Sequence, residues 1–166
     1  MANESLTQQY LHEIFEYKDG ELYWKKINPF AHCIKIGCIA GGSEKIAYKR
    51  TRISNKAYLN HRLIFLMHHG YLPKFIDHVD GNPFNNNIEN LRETTLSQNQ
   101  QNSKKRNDNT SSIKNINWNK KANKWVVQLC INGKNKHFGY FDDITVAELV
   151  AQEARNKYYG EYARHN

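Results

Sequence analysis

Cysteine is scarce in this chain: there are three, Cys33, Cys38 and Cys130, and no two stand at CxxC spacing. An odd count without such pairs argues against a disulfide framework and against a four-cysteine structural zinc site. His32 beside Cys33 and Cys38 makes no convincing ligand set, so the thiols read as buried or incidental. Long apolar runs are also missing, and none approaches the roughly 20 residues that a membrane span requires. The first residues, MANESLTQQYLHEIF, carry no basic region followed by an apolar core, which excludes a secretory signal. The chain therefore reads as an intracellular soluble protein with no membrane partner. Residues 97–112, SQNQQNSKKRNDNTSS, hold no aliphatic or aromatic side chain at all. Such a tract cannot form a core, and it reads as a polar linker over 103–112 with Lys104, Lys105 and Arg106 at its centre.

Acidic residues are outnumbered, 16 Asp and Glu against 24 Lys and Arg, for a net charge of +8. The imbalance is uneven. Residues 1–94 hold 12 basic against 10 acidic side chains, and residues 95–166 hold 12 against 6. A polyanionic partner follows, with nucleic acid the first candidate. A length of 166 residues allows one domain or two small ones.

Residues 5–16 place Leu6, Tyr10, Leu11, Ile14 and Phe15 at helical spacing, with Asn3 or Ser5 as cap. Lys18-Asp19-Gly20 is a turn, and 21–25 reads as a strand. A second strand is expected over 46–53, a turn at 54–56 and a third strand at 57–59. Asn60 then caps a strongly apolar helix over 60–69 that closes at Gly70.

The polar stretch 75–102, FIDHVDGNPFNNNIENLRETTLSQNQQN, is where packing does not explain the composition. An apolar run ends in Asp77-His78, a loop rich in Gly and Asn follows to Asn87, and 89–92 is a short extended piece. Thr95 and Gln98 form a capping box that opens a helix carrying Asn99 and running to about residue 102. A histidine suits proton abstraction near neutral pH. A carboxylate with an amide oxygen suits a hard divalent ion.

This stretch resembles the ββα-metal motif of phage and intron-encoded HNH homing endonucleases, DHxDGNxxNNxxxNLRxxTxxxN. Asp77, His78, Asp80, Gly81, Asn82, Asn85, Asn86, Asn90, Leu91, Arg92, Thr95 and Asn99 all match. The resemblance implies that His78 is the general base and that Asp77 and Asn99 ligate one Mg²⁺ or Mn²⁺. It implies that Asn90 holds the loop and orients His78. The order of a Tyr-Trp strand, YLNHRLIF and YLP ahead of Asp77 resembles the N-terminal part of the same enzymes. His61 reads there either as a metal or phosphate ligand or, more simply, as a helix-start histidine bonded to backbone. As neighbours on a strand, Asp77 and His78 should point to opposite sides unless a bulge intervenes.

Beyond the polar tract, strands are expected over 113–119, 124–131 and 134–140, the last two joined by the hairpin signal Asn132-Gly133. A helix follows from Asp142 or Thr145 to Tyr158, with Val146, Leu149, Val150 and Ala154 on its buried stripe. Ile116-Asn117-Trp118, Lys124-Trp125, Asn132-Gly133-Lys134, Phe138-Gly139-Tyr140-Phe141, Ala147, Ala151 and Tyr159-Gly160-Glu161-Tyr162-Ala163 resemble the plant ethylene-response-factor (AP-two) DNA-binding domain. Such domains lay a three-stranded sheet in the major groove. By alternation Trp125, Val127, Leu129 and Ile131 face the helix, with Val126, Gln128 and Cys130 outward. The resemblance then implies Asn117, Asn119, Gln128, Lys136 and His137 as DNA-facing residues, with Lys120, Lys121 and Lys134 on phosphates. The plant domains carry Arg at the positions of Asn117, Asn119 and Cys130, so their target sequence does not transfer.

The expectation is an α+β chain: a nuclease module over 1–96, the linker 103–112 and a DNA-binding module over 113–166. It would be a metal-dependent, nicking endonuclease acting on double-stranded DNA. No structural zinc and no small-molecule cofactor are expected, a monomer is favoured, and the location would be the cytoplasm of a bacterial host. The alternatives are a non-catalytic DNA-binding regulator on the same scaffold and an RNA-directed protein.

Overall fold

The computed structural model describes residues 6–26, 35–42, 48–103, 109 and 111–165. Asn3, Ser5, His32, Cys33, residues 46–47, and the basic triplet Lys104, Lys105 and Arg106 lie outside that set. The chain is mixed α and β and divides into two compact units, Met1–Thr94 and Thr95–Asn166.

In the first unit, helix α1 spans Gln8–Ile14, capped by Thr7, whose side chain accepts from the Tyr10 N–H. It ends earlier than the apolar spacing suggests. Phe15–Lys18 forms strand β1, paired antiparallel with β2, Glu21–Trp24, with Phe15 opposite Trp24. The two rings lie 4.5 Å apart and both are buried, so sheet packing of two large aromatics outweighs another helical turn. Strands β3, Arg50–Ile53, and β4, Lys56–Leu59, form a second hairpin, turned by Ser54 and Asn55, both at positive φ. Tertiary bonding at Asn60 decides the start of helix α2, Asn60–His69. The cap position belongs to Leu59, while the buried Asn60 carboxamide accepts from Thr51 and donates to the Ala40 carbonyl. Gly70 closes α2 as expected, in the left-handed region. Leu63 through Met67 are all buried and form one core with Leu11, Phe15, Leu22, Trp24 and Leu91.

Strand β5, Phe75–His78, pairs with β6, Leu91–Thr94, setting Asp77 opposite Arg92 and His78 opposite Leu91. The expected extended piece at 89–92 is in fact a 3-10 turn at Ile88–Asn90 running into β6.

In the second unit, the capping box at Thr95 and Gln98 is present and opens the six-residue helix α3, Leu96–Gln101. Strands β7, Ile116–Asn119, β8, Lys124–Ile131, and β9, Lys134–Phe141, make an antiparallel sheet in the order β7-β8-β9. The first strand begins at Ile116 and not at Ile113, because Ser112 and Asn115 adopt positive φ and break the extended run. Helix α4, Ile144–Tyr159, is capped by Asp143.

Its buried stripe differs from the expected one. Ala147, Ala151, Ala154, Arg155 and Tyr159 face the sheet, while Val146 and Leu149 are 45% and 59% exposed. The alanines line the stripe that packs with Ile116, Val127 and Leu129, and small side chains on that stripe let helix and sheet approach closely.

Candidate functional site

The loop between β5 and β6 is held by its own carboxamides. Asp80 accepts from the Asn82 N–H at 2.8 Å, from Asn85 at 2.7 Å and from Asn90 at 3.0 Å. Asn90 also donates to the Asn85 carbonyl and accepts from the Asp80 N–H, so its side chain ties both ends of the loop together. Burial alone would raise the Asp80 carboxyl. The donors from Asn82, Asn85 and Asn90, with the His78 charge, bring it below the usual carboxylate value. From outside, the β1–β2 hairpin braces the loop: the Ile88 N–H donates to the Tyr17 hydroxyl at 3.0 Å. At Gly20, φ is +80°, and a Cβ there would come within 2.9 Å of the Asn87 nitrogen.

This loop presents Asn86, 2% exposed, to His78, 6% exposed. The His78 Nε2 lies 3.0 Å from Asn86 Oδ1. A carboxamide oxygen only accepts, so Nε2 carries the proton and the basic nitrogen of the neutral ring is Nδ1. The side chain that fixes the tautomer here is Asn86, while Asn90 bonds to Asp80 and Asn85. Asn86 lay within the motif, but nothing in its spacing distinguished it from the neighbouring asparagines.

Two further rings surround His78. His61 meets it edge to face at 5.2 Å between centroids, and Tyr48 lies 6.2 Å from it. His61, buried at the start of α2, thus packs directly against His78. Burial first, then the charges of His78 and Arg62, lower its pKa from 6.5 to about 4, so it is neutral at pH 7.

Asp77 has a different set of neighbours. The Arg92 guanidinium donates to its Oδ2 from Nη2 at 3.1 Å and from Nε at 3.3 Å. β5 and β6 pair residue for residue, without a bulge, and place Asp77 on the Arg92 side and His78 on the Leu91 side. Asn99 stands on α3 in the second unit. Among the described residues, no three His, Cys, Asp or Glu side chains gather as a metal-binding group.

On the C-terminal sheet, the face away from α4 carries Asn117, Val126 and Tyr140 in one row, Gln128 and His137 in the next, and Cys130 and Asn135 beyond. His137 and Tyr140 stack at 4.7 Å. A register shift between Val127 and Gln128 skips Phe138, which turns toward the α4 core. That bulge corrects the expectation for Lys136. Simple alternation cannot place both Lys136 and His137 outward, and Lys136 goes to the helix side, donating to the Tyr158 hydroxyl at 2.7 Å. Asn119 is also diverted: its side-chain oxygen caps the Lys121 and Ala122 N–H groups of the β7–β8 turn. Lys120, Lys121 and Lys134 are exposed at the hairpin turns.

The family model described as HNH endonuclease matches residues 58–101, which span α2, the loop with Asn86, and α3. Protein 3.8 of Escherichia phage T7 is 32% identical over 111 residues, covering 66% of this chain and 91% of that protein. The chain belongs to the family of phage Protein 3.8 and carries an HNH endonuclease domain. His78, Asn86 and Asn90 thus fall inside the HNH domain, as does Asn99. His61, four residues inside the matched segment's start at residue 58 when both ends are counted, does too. No solved structure matches the chain.

Proposed function

We propose that this protein is a divalent-metal-dependent DNA endonuclease in which His78 is the general base. The observation that carries this reading is the buried His78 imidazole held by Asn86 inside the HNH domain, because it fixes a neutral tautomer with a basic Nδ1. In the step so derived, Nδ1 takes a proton from water as the water oxygen bonds to phosphorus. The bond from phosphorus to the 3′ oxygen breaks, and that oxygen is protonated from solvent, leaving 5′-phosphate and 3′-hydroxyl ends. Neutral His61 and Tyr48 wall the base without adding positive charge beside it.

HNH nucleases generally depend on a divalent metal. By the likeness to the homing enzymes, the Asp77 carboxylate and the Asn99 amide oxygen would be the residues to hold it, both hard ligands of the kind Mg²⁺ or Mn²⁺ prefers. When bound, one such ion would neutralise charge on the phosphate and the leaving oxygen. Arg92 holds the Asp77 carboxylate in place for that role.

The C-terminal sheet, by its likeness to the ethylene-response-factor domains, would bind duplex DNA through Asn117, Gln128, His137 and Tyr140. Lys120, Lys121 and Lys134 would reach phosphates, with Lys104, Lys105 and Arg106 along the backbone. Phosphate contacts add affinity without sequence information, and base-edge contacts supply preference. A single base per chain favours nicking by a monomer, in the manner of homing enzymes.

The test is supercoiled plasmid incubated with Mg²⁺, Mn²⁺ or EDTA, using the wild type and His78→Ala. Metal-dependent conversion to open circle, lost in the variant, supports the reading, and linear product would indicate paired cuts. No conversion on plasmid carrying phage DNA would transfer the case to a DNA-binding regulator.

A further inference from the structure

Tyr48 stands just ahead of β3 and upstream of residue 58, where the matched HNH domain begins. Its place follows from the register of the hairpin. Arg50 pairs with Leu59, and the Asn60 N–H donates to the Lys49 carbonyl at 2.9 Å, which carries the ladder one step further. That register sets Tyr48 across from His61, and the two rings meet with centroids 5.4 Å apart. The Lys49 ammonium pairs with the Glu21 carboxylate on β2 and so anchors the same segment to the neighbouring hairpin.

The ring so placed also faces His78, with centroids 6.2 Å apart and planes inclined at 34°. Asn86, 2% exposed, takes Nε2 on the buried side of that imidazole, whereas Tyr48, 40% exposed, stands on its open side. A tyrosine used only for packing buries its ring and finds a partner for its hydroxyl. Here two imidazoles hold the ring, and among the described residues the hydroxyl has no hydrogen-bond partner. Strand alternation adds a charge argument. Thr51 and Ile53 are buried, so Tyr48, Arg50 and Arg52 share the other face, where both arginines are exposed. A phosphodiester is drawn to such a face.

The reaction limits where the attacked phosphate can be. Water activated by Nδ1 lies within about 3.2 Å of it, and its oxygen approaches phosphorus from about 3–3.5 Å. The phosphate is then about 6 Å from the imidazole, in the shell that the Tyr48 ring occupies. We propose that Tyr48 is a catalytic residue whose hydroxyl donates to a non-bridging oxygen of the phosphate under attack. This rests on the reading of His78 as the general base. A neutral donor fixed in advance stabilises the charge that develops on that oxygen as water bonds to phosphorus. It does so without setting a cation beside the nitrogen that must accept a proton, and the phenol keeps its own proton throughout.

The experiment is single-turnover cleavage by the full chain of a duplex spanning a position where the wild type cuts plasmid. The scissile phosphate is tested as the natural diester and as each of the two phosphorothioate diastereomers, since sulfur is a weak hydrogen-bond acceptor. Tyr48→Phe is expected to cut the natural duplex about 100-fold more slowly, with DNA affinity held within about twofold. Its melting midpoint should match the wild type. On one diastereomer, where sulfur replaces the oxygen that the hydroxyl bonds, the deficit of Tyr48→Phe is expected to shrink below about threefold. On the other it should persist. A merely structural role would give the same deficit on all three substrates, and that result overturns the proposal. So does wild-type cleavage by Tyr48→Phe while His78→Ala is inactive. Cleavage retained in His78→Ala, or none by the wild type, overturns instead the reading on which the proposal rests, and the proposal with it.

Discussion

The imidazoles of His61 and His78 meet edge to face, with centroids 5.2 Å apart and planes inclined at 73°. Burial first, then the charges of His78 and Arg62, hold His61 neutral near pH 7, its pKa lowered from 6.5 to about 4. The unfolded chain therefore binds more protons than the folded one between those values. Stability is fully present above pH 6.5 and is lost as pH falls through about 4. The displacement corresponds to on the order of 3 kcal/mol at most. Urea unfolding of the wild type is expected to show that loss, and His61→Phe to show a flatter profile over the same window. A profile that keeps its slope in the variant would place the titrating group elsewhere.

Asn86 and Asn90 separate two jobs that the motif alone runs together. Asn86 touches the base, and Asn90 ties Asp80 to Asn85. Asn86→Ala removes the acceptor that keeps the proton on Nε2, and is expected to lower the cleavage rate roughly 100-fold with DNA affinity retained. Asn90→Ala is expected to loosen the whole loop, lowering both rate and melting temperature. Single-turnover cleavage and thermal melts on both variants distinguish the two. Equal melting losses for both would mean that Asn86 acts through the loop and not on the imidazole.

Gly20 sits 66 residues before Asn86 in the chain yet decides where the loop can go. Its φ of +80° is unfavourable for any side chain, and a Cβ would press on the Asn87 backbone at 2.9 Å. The nearest atom is backbone, which cannot swing aside as the end of a side chain could. Gly20→Ala is expected to cost about 2 kcal/mol, or roughly 10 °C in the melting midpoint of its unit. It should also slow cleavage by shifting Asn86. An alanine variant with unchanged melting and rate would show that the hairpin yields without moving the loop.

How far each feature was legible follows from what kind of signal it left. Asp77, His78 and the asparagines stood out because polar residues at fixed spacing have no packing explanation. The Thr95 capping box, the close of α2 at Gly70 and the Asn132-Gly133 hairpin are local chemistry, and local chemistry reads directly from sequence. The misses are tertiary. Phe15 continues a helical spacing but is taken by Trp24 into a sheet. Asn60 is a sound cap by type, but Thr51 and Ala40 claim its side chain. The exposed Leu149 and buried Ala151 invert the usual order of hydrophobicity because the sheet packs on the alanine side of α4. Buried Lys114 and Arg155 left no signal, since charge ordinarily marks the surface. The bulge at Phe138 was equally silent, and it reverses the face of every residue of β9 before it.

That reversal yields a sharp test on the sheet. Gln128 and His137 share a row on the open face, whereas Lys136 reaches back to Tyr158 and the Phe138 ring. If the open face binds duplex DNA, Gln128→Ala and His137→Ala weaken binding and alter sequence preference, each by about 1 kcal/mol or more. Lys136→Ala should lower the melting midpoint instead, leaving affinity and preference close to wild type. The exposed lysines behave differently again. Lys120→Ala with Lys121→Ala removes two phosphate contacts, so binding weakens on every sequence and the slope of log affinity against log salt falls by about 2. Fluorescence anisotropy on two unrelated duplexes over a salt series reads all of these at once. Loss of affinity in Lys136→Ala without change in His137→Ala would place the nucleic acid on the helix side, and would remove the groove-binding sheet from the account.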